Sequence, residues 1–290
     1  MKELFCKKNL KVFYAIIAFA FAMLSTFSCK YEKVEPIGNA TNESESKTND
    51  EKIQEKEETQ NISAVDIDKE RKMSLDKANI IEEVVDISDV EGDIVYQDIK
   101  YGKLSLKSGV SNENIEKALS QINEKLKTAA EEFKNEHKDE IRENQMLDSS
   151  MREWKYSYDS TDLFVTNIDD KYFSVRNFTY TDLMGAHPSY YIEGFNFDIE
   201  TGKELKLIDM INDKEELRNY LFDWCEKNKE EGGLFDEYKE TINNYLDNME
   251  EYTLEYYIED GKMNLVFQTY DIAPYAVGAI HIEVPERIRK

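Results

Sequence analysis

Histidine and cysteine, which supply most metal ligands and many nucleophiles, are scarce in this sequence, with three of each among 290 residues. The histidines are His137, His187 and His281, and neither an H-x-x-x-H nor a C-x-x-C spacing occurs. A zinc site therefore lacks its usual sequence pattern. The G-x-S-x-G, P-loop and dinucleotide-binding glycine patterns are missing as well. We expect no cofactor, no metal site and no enzymatic activity.

Basic side chains are also in short supply, because 37 lysines and arginines face 61 aspartates and glutamates, for a net charge of −24. Nucleic acids and anionic lipid surfaces are bound through lysine and arginine. This composition therefore argues against both as partners. It is compatible with a cationic partner that the acidic field attracts.

The N-terminal apolar run is shorter than a membrane span. It extends from Val12 to Leu24, whereas a spanning helix needs about 20 residues. The run follows four lysines and precedes Cys29, which is the order of a signal peptide with a lipidated cysteine. We predict a lipoprotein-type signal peptide over residues 1–28, a palmitate-type lipid anchor on Cys29, and a location at the outer face of the cell membrane. Retention of the run as an uncleaved anchor is the alternative.

Residues 29–78 contain few aromatic side chains and many Glu, Lys, Asn, Ser and Thr. Such a segment cannot bury enough apolar surface to fold by itself. We predict a disordered, charged tether, with a transient helix over residues 62–78, that separates the folded part from the membrane. Cys225 lies in an apolar helical pattern further on, which predicts a buried side chain and no disulfide.

The rest of the sequence mixes helical and strand patterns. A helix capped by Ser111 has apolar residues at three-and-four spacing as far as Phe133, and residues 135–143 are its frayed end or a loop. Alternating residues after Trp154 predict long antiparallel strands, and two helices follow Asp213 before the last strands. This order predicts an α+β fold in which antiparallel sheets pack with two to three helices.

The densest local signals lie between Leu183 and Leu207. The segment Gly185-Ala186-His187-Pro188 is typical of a loop, because proline fixes its own φ and restricts the residue before it. An alternating strand follows, and Glu200-Thr201-Gly202-Lys203 predicts a tight hairpin turn whose return strand reaches Leu207. We place the boundary between an N-terminal module (79–182) and a C-terminal module (183–290) just before this stretch.

Two loops carry the candidate contact residues. For His187 the interpretations are a hydrogen bond that fixes the loop, a contact with a partner, or catalysis. For Tyr275, beside Pro274, they are a rigid anchor at an interface or a buried tyrosine corner. The candidate binding residues of the two loops are Gly185, Ala186, His187, Pro188, Ser189, Ala273, Pro274, Tyr275 and Gly278.

Four motifs of this region follow one another in a fixed order: Gly185-Ala186-His187-Pro188, Asn196-Phe197-Asp198, Thr201-Gly202-Lys203, and Asp271-Ile272-Ala273-Pro274-Tyr275-Ala276-Val277-Gly278. Together they resemble the extracellular domain shared by RsiV-type anti-sigma factors and the non-catalytic part of PdaC-type peptidoglycan deacetylases. The resemblance covers roughly residues 94–287. It departs from the family at Met184, where the usual pattern has glycine.

The resemblance implies an envelope domain on which lysozyme docks in the RsiV-type member. The zinc-binding segment of an anti-sigma factor and the metal-binding domain of a deacetylase are not recognised in this sequence, so we expect neither activity. The leading hypothesis is a non-enzymatic, lipid-anchored binding or sensing protein that recognises lysozyme, another cationic wall-active protein, or peptidoglycan. A wall hydrolase or deacetylase that uses His187 with Asp182, Asp198 or His281 is the alternative, and a purely structural envelope role is a third.

Overall fold

The computed structural model describes residues 64–147, 153–249 and 254–290. The predicted signal peptide, the predicted anchor Cys29 and the tether as far as residue 63 lie outside the described residues. Helix α1 (Ala64–Lys77) lies where a transient helix was predicted within the tether, but it is packed on the folded part instead of being transient. The helix packs on the sheet, since Leu75 and, directly after the helix, Ala78 are each only 5% exposed.

Seven strands form a large sheet in the order β1-β3-β4-β5-β6-β7, with β2 paired beside β3. β3 and β4 are parallel, because helix α2 crosses between them, and the other pairs are antiparallel. The elements are β1 (Ile80–Asp86), β2 (Asp89–Glu91), β3 (Ile94–Leu106), α2 (Glu113–Leu147), β4 (Tyr156–Ile168), β5 (Tyr172–Asp182), β6 (Ser189–Asp198) and β7 (Lys203–Glu204).

Helix α2 is longer than predicted. Its first turn is capped by Asn112, whose side chain accepts a hydrogen bond from the Ile115 N–H at 3.1 Å, rather than by Ser111. The polar run 135–143 is helical as well, and Ile141 within it is 1% exposed. The helix continues because one apolar residue in every turn or every second turn keeps its inner face on the sheet, while charged residues cover its other faces.

Three shorter helices and a second sheet complete the chain. The second sheet is antiparallel, in the order β10-β9-β8. The elements are α3 (Leu207–Met210), α4 (Lys214–Gly232), α5 (Tyr238–Asp247), β8 (Glu255–Glu259), β9 (Lys262–Phe267), β10 (Ile280–Val284) and 3-10 turns at Tyr275–Val277 and Glu286–Ile288. The α+β prediction is confirmed, but the described residues contain five α-helices instead of two to three.

The predicted hairpin turn is present, with Gly202 at φ +61°, a conformation that favours glycine. Its return strand is wrong in length. β7 contains only Lys203 and Glu204, and the chain enters α3 at Leu207. Leu207 is 6% exposed and joins the hydrophobic cluster of the second half of the domain, which draws it away from the sheet.

The boundary predicted between residues 182 and 183 falls inside the large sheet, because β5 and β6 pair on either side of it from Tyr172–Asp198 to Thr181–Ser189. The hydrophobic residues divide further along the chain. One cluster ends with Phe197 under α2, and the other begins with Leu207 and includes Cys225, which is fully buried. No helix among the described residues is long and apolar enough to cross a membrane.

Asp213→Ala is expected to lower the free energy of unfolding by about 1 kcal/mol. The Asp213 carboxylate accepts hydrogen bonds from the first turn of α4, from the N–H groups of Glu215 at 2.7 Å and Glu216 at 3.2 Å. Urea denaturation measures the change. Asp223→Ala, an exposed position inside α4, is the matched control and is expected to change stability by less than about 0.5 kcal/mol. Equal effects at both positions would contradict the capping role.

Candidate functional site

The two loops with the candidate contact residues meet at one end of β6. The ring of His187 stacks on that of Tyr275, with centroids 3.9 Å apart and planes inclined by 28°. The Tyr270 ring lies 6.0 Å from His187 and 5.9 Å from Tyr275. The Tyr275 hydroxyl donates to the Pro188 carbonyl at 3.1 Å, so the second loop is fastened to the first.

The tautomer of His187 follows from its hydrogen-bond partners. Nδ1 lies 2.9 Å from the Pro188 carbonyl oxygen, which can only accept, so Nδ1 carries the hydrogen. Nε2 lies 3.1 Å from the Tyr270 hydroxyl and therefore accepts its hydrogen when the imidazole is neutral. Of the three roles considered for His187, fixing the loop is the one that this geometry displays.

A second group of rings extends this surface along the strands. The Tyr190 ring lies 5.2 Å from Phe178 and 5.5 Å from Tyr180. The pKa of Tyr275 is raised by burial first and then by the phenols of Tyr190 and Tyr270. Because Tyr190 belongs to the second group of rings, the two groups lie side by side. We call the combined set the aromatic loop surface, and its members are Phe178, Tyr180, His187, Tyr190, Tyr270 and Tyr275.

The backbone of both loops is strained. Met184 has φ +57° and Tyr270 has φ +73°, a region that non-glycine residues rarely adopt and that is exceptional for a bulky one. Met184 is held there by a 2.7 Å hydrogen bond from its N–H to the Asp182 carboxylate. Such strain tends to concentrate at functional sites, where the surrounding structure compensates for it.

Gln268 and Asp271 fix the second loop against β6. The Gln268 side chain accepts from the Ile192 N–H at 3.0 Å and donates to the Ile192 carbonyl at 2.7 Å. The Asp271 carboxylate accepts from the Gln268 N–H at 2.7 Å and from the Tyr245 hydroxyl at 2.9 Å. Burial raises the pKa of Asp271 to about 6, while these two hydrogen bonds oppose the rise. The loop that presents Tyr270 is therefore tied to both β6 and α5.

Most of the predicted contact residues reach the surface. Gly185, Ala186, His187, Ser189 and Pro274 are exposed. Pro188, Tyr275 and Gly278 are partly buried, so Tyr275 is neither a free anchor nor a fully buried corner.

Ala273 is the exception among these residues. It is 2% exposed and packs in the second hydrophobic cluster, so it cannot touch a partner. Sequence reasoning missed Tyr270 and Tyr190, which are 53% and 37% exposed. The sequence does contain an indication of them, because both are large aromatic residues next to a predicted loop, where a side chain often reaches the surface.

The carboxylates proposed as partners of His187 make other contacts. Asp182 accepts from the Met184 N–H and the Tyr180 hydroxyl, and Asp198 accepts from Thr201. His281 pairs with the Tyr257 hydroxyl at 3.2 Å, and burial, with Arg176 nearby, lowers its pKa to about 4. Among residues 64–147, 153–249 and 254–290, no group of three or more His, Cys, Asp or Glu side chains could hold a metal ion.

A second polar feature lies on the other side of β6, where a cavity of about 260 Å³ opens between α2, β4 and β6. Glu193 lines it together with Lys125, Glu132 and Tyr158. Glu255 of β8 lies close to Glu193, and it accepts from the Tyr191 hydroxyl at 3.2 Å and the Gly194 N–H at 3.1 Å. Burial raises the pKa of Glu193 to about 7, and burial together with the Glu193 carboxylate raises that of Glu255 to about 8.

Residues 209–286 match the model of a family described as a protein of unknown function, DUF3298. A DUF3298 domain is therefore found in this chain, and it contains the loop of Tyr270 and Tyr275 but not that of His187. A solved DUF3298 family member from Bacteroides fragilis is 15% identical, with a TM-score of 0.48, and the match covers 73% of this chain and 94% of that one. A DUF3298 protein from Pseudomonas aeruginosa is 18% identical, with a TM-score of 0.43 and coverage of 73% and 93%. No curated protein matches the chain.

Proposed function

We propose that this protein is a non-enzymatic binding or sensing protein of the cell envelope that recognises its partner through the aromatic loop surface. The observation that carries this proposal is a set of aromatic rings on two strained loops and the strands beside them, held in one arrangement by hydrogen bonds, of which His187, Tyr190 and Tyr270 are exposed. Aromatic side chains supply large contact area at small cost in conformational entropy, and they dominate the energetics of protein interfaces.

The proposed partner is lysozyme or another cationic wall-active protein, or peptidoglycan. Support comes from the resemblance to the RsiV-type and PdaC-type domain and from the net charge of −24, which attracts cations. Neither loop of the surface, 183–190 or 270–278, contains lysine or arginine that would repel such a partner. The proposal includes a lipid on Cys29 that holds the protein at the outer face of the cell membrane.

The alternative of a wall hydrolase or deacetylase has less support. A histidine that acts as a general base needs a group that orients it and a reaction centre within hydrogen-bond reach. The hydrogen bonds that His187 makes within the described residues go to Tyr270 and Pro188. This arrangement favours a histidine that shapes a contact surface.

Tyr270→Ala is expected to weaken binding about tenfold or more, because an anchor ring in an interface contributes about 1.4 kcal/mol or more. Isothermal titration calorimetry with lysozyme, and co-sedimentation with purified peptidoglycan, measure the change. His187→Ala is expected to act in the same direction, since it removes the support of both tyrosine rings.

Trp154→Ala is the matched control, because Trp154 is also an exposed aromatic at 39% and lies outside the two loops. It is expected to leave binding unchanged within twofold. If the unaltered protein binds neither lysozyme nor peptidoglycan, the proposal loses its main support. Equal losses in Tyr270→Ala and Trp154→Ala would place the contact surface elsewhere.

A further inference from the structure

Over residues 67–78, where the side chains are described, helix α1 is held on the large sheet with little apolar burial. Leu75 and Ala78, at its C-terminal end, are buried, but Ile67 and Met73 are 42% and 60% exposed. A helix of this length gains most of its stability in a protein from a packed apolar face. The docking of α1 must therefore depend on polar contacts to an unusual degree.

Arg71 makes these contacts at the middle of the helix, while Ser74 and the Lys107–Asp76 ion pair hold its C-terminal end. One terminal nitrogen donates to the Glu82 carboxylate of β1 and, at 3.2 Å, to the Thr161 carbonyl of β4. The other donates to Asp68 within α1 at 2.8 Å. The remaining nitrogen, Nε, is buried without a hydrogen bond to any described residue and lies 3.9 Å from the Asp162 carboxylate.

The helix covers an edge of β4 that no strand occupies in the described structure. β3 pairs with β4 only from Tyr156 to Ser160 and then continues beside β1. Beyond that point α1 lies along the edge of β4. Arg71 donates to the Thr161 carbonyl, and the Ser74 hydroxyl accepts from the Val165 N–H at 3.2 Å. Residues four apart on a strand present their backbone groups to the same edge.

The charges at this contact are unbalanced. Three carboxylates, from Asp68 of α1, Glu82 of β1 and Asp162 of β4, face the Arg71 guanidinium, and Asp159 of β4 adds a fourth negative charge near Glu82. The Glu82 side chain is only 7% exposed, and its Oε1 has no hydrogen-bond partner in the part of the chain that the structure describes. β3 offers no side-chain donor there, because Gly102 faces this oxygen so closely that an added Cβ would lie only 2.5 Å from it.

Buried ion pairs of this kind contribute little net stability, since desolvation offsets most of the attraction, yet removing one partner is strongly destabilising. We propose that α1 is a releasable latch, which detaches from β1 and β4 while the rest of the domain stays folded, and that Arg71 controls its release. Release uncovers the edge of β4 at Thr161 and Val165. It also lengthens the segment through which residues 1–63 join the domain.

Hydrogen exchange of the full chain, resolved by residue, tests the latch. In Arg71→Met the amides of residues 68–77 and of Val165 are expected to exchange at least tenfold faster than in the unaltered protein. Amides of α2 are expected to stay unchanged. Lys72→Met is the matched control, because Lys72 is exposed and pairs only with Asp68 on the surface, and it is expected to change exchange by less than twofold.

Two outcomes of that experiment would overturn the proposal. One is unchanged exchange of α1 in Arg71→Met. The other is an equal acceleration in α1 and α2, which would mean that α1 opens only when the whole domain unfolds.

Glu82→Gln gives a second test that does not depend on the arginine variant. Burial raises the pKa of Glu82 to about 7 despite Arg71, with Asp162 and Asp159 adding to the rise. When α1 is detached, the pKa of Glu82 returns to its ordinary value. The docked state then binds a proton that the detached state has lost, so docking weakens as the pH rises from about 4.5 to about 7. After correction for intrinsic exchange, α1 of the unaltered protein is expected to open more at pH 8 than at pH 5, and Glu82→Gln to flatten this difference. The same pH profile in both proteins would contradict the role of the cluster.

Discussion

Gly194→Ala is expected to lower the free energy of unfolding by about 3 kcal/mol or more. An added Cβ would lie 1.7 Å from the main-chain oxygen of Tyr256, about half of a normal contact distance. Neither backbone can move without breaking other hydrogen bonds, because β6 is paired with β5 and β8 with β9. The methyl group would therefore force the two sheets apart at this contact.

Urea denaturation of Gly194→Ala and Gly185→Ala measures this effect with its control. Gly185 has no atom within 4 Å of an added Cβ and no positive φ, so alanine there is expected to change stability by less than about 0.5 kcal/mol. A Gly194→Ala protein that fails to fold agrees with the expectation. A loss below about 1 kcal/mol would contradict the close approach of β6 and β8.

The contact around Gly194 also explains why the two sheets behave as parts of one domain. Asn196 donates to the Tyr256 carbonyl at 2.7 Å and accepts from the Ser174 hydroxyl at 2.7 Å. The Ile258 N–H donates to the same Ser174 hydroxyl at 3.0 Å. Buried polar side chains of β5 and β6 thus satisfy the edge of β8, which would otherwise carry unpaired backbone groups.

The elements that could be predicted from the sequence are those whose signals are local. The alternation in β4, β5 and β6, the turn at Gly202 and the cap at Asp213 each depend on residues within a few positions of one another, and each is present. Both loops could be named as candidate contact sites from the sequence, but that they meet is a finding of the structure. The sequence gives no distance between His187 and Tyr275, so their stacking could not be derived from it.

The failures involve residues whose role depends on distant partners. Helix α1 looks like part of a polar tether because its contacts with the sheet are made by Arg71 rather than by an apolar stripe. Ala273 looks like a surface residue because it precedes Pro274, yet it is enclosed by residues far away in sequence. Gly194 sits inside an alternating strand, and only the approach of Tyr256 shows why a side chain is excluded there.

Glu193 and Glu255 lie next to this same junction, where two carboxyl groups are buried close together. Glu255 is 8% exposed, and its two hydrogen-bond donors, from Tyr191 and Gly194, do not supply a positive charge. Lys125 opposes the rise in the pKa of both carboxyl groups, but it is also paired with Glu204. The folded protein therefore holds protons on this pair at a pH where the unfolded chain would release them.

The free energy of unfolding is expected to fall by on the order of 3 kcal/mol as the pH rises from about 4.5 to about 8. Over this range the unfolded state loses its protons, whereas the folded state must either keep a proton or bury a second charge. The pKa of Glu255 is about 8 in the folded protein, so this stability is present below about pH 4.5 and is lost as the pH approaches 8. Glu255→Gln cannot ionise and is expected to be more stable than the unaltered protein at pH 8.5 and about equal to it at pH 5. Urea denaturation at the two values measures both differences, and Glu200→Gln in the exposed turn after β6 is the control. Parallel pH profiles for the unaltered protein and Glu255→Gln would show that the carboxyl pair does not set the pH dependence of folding.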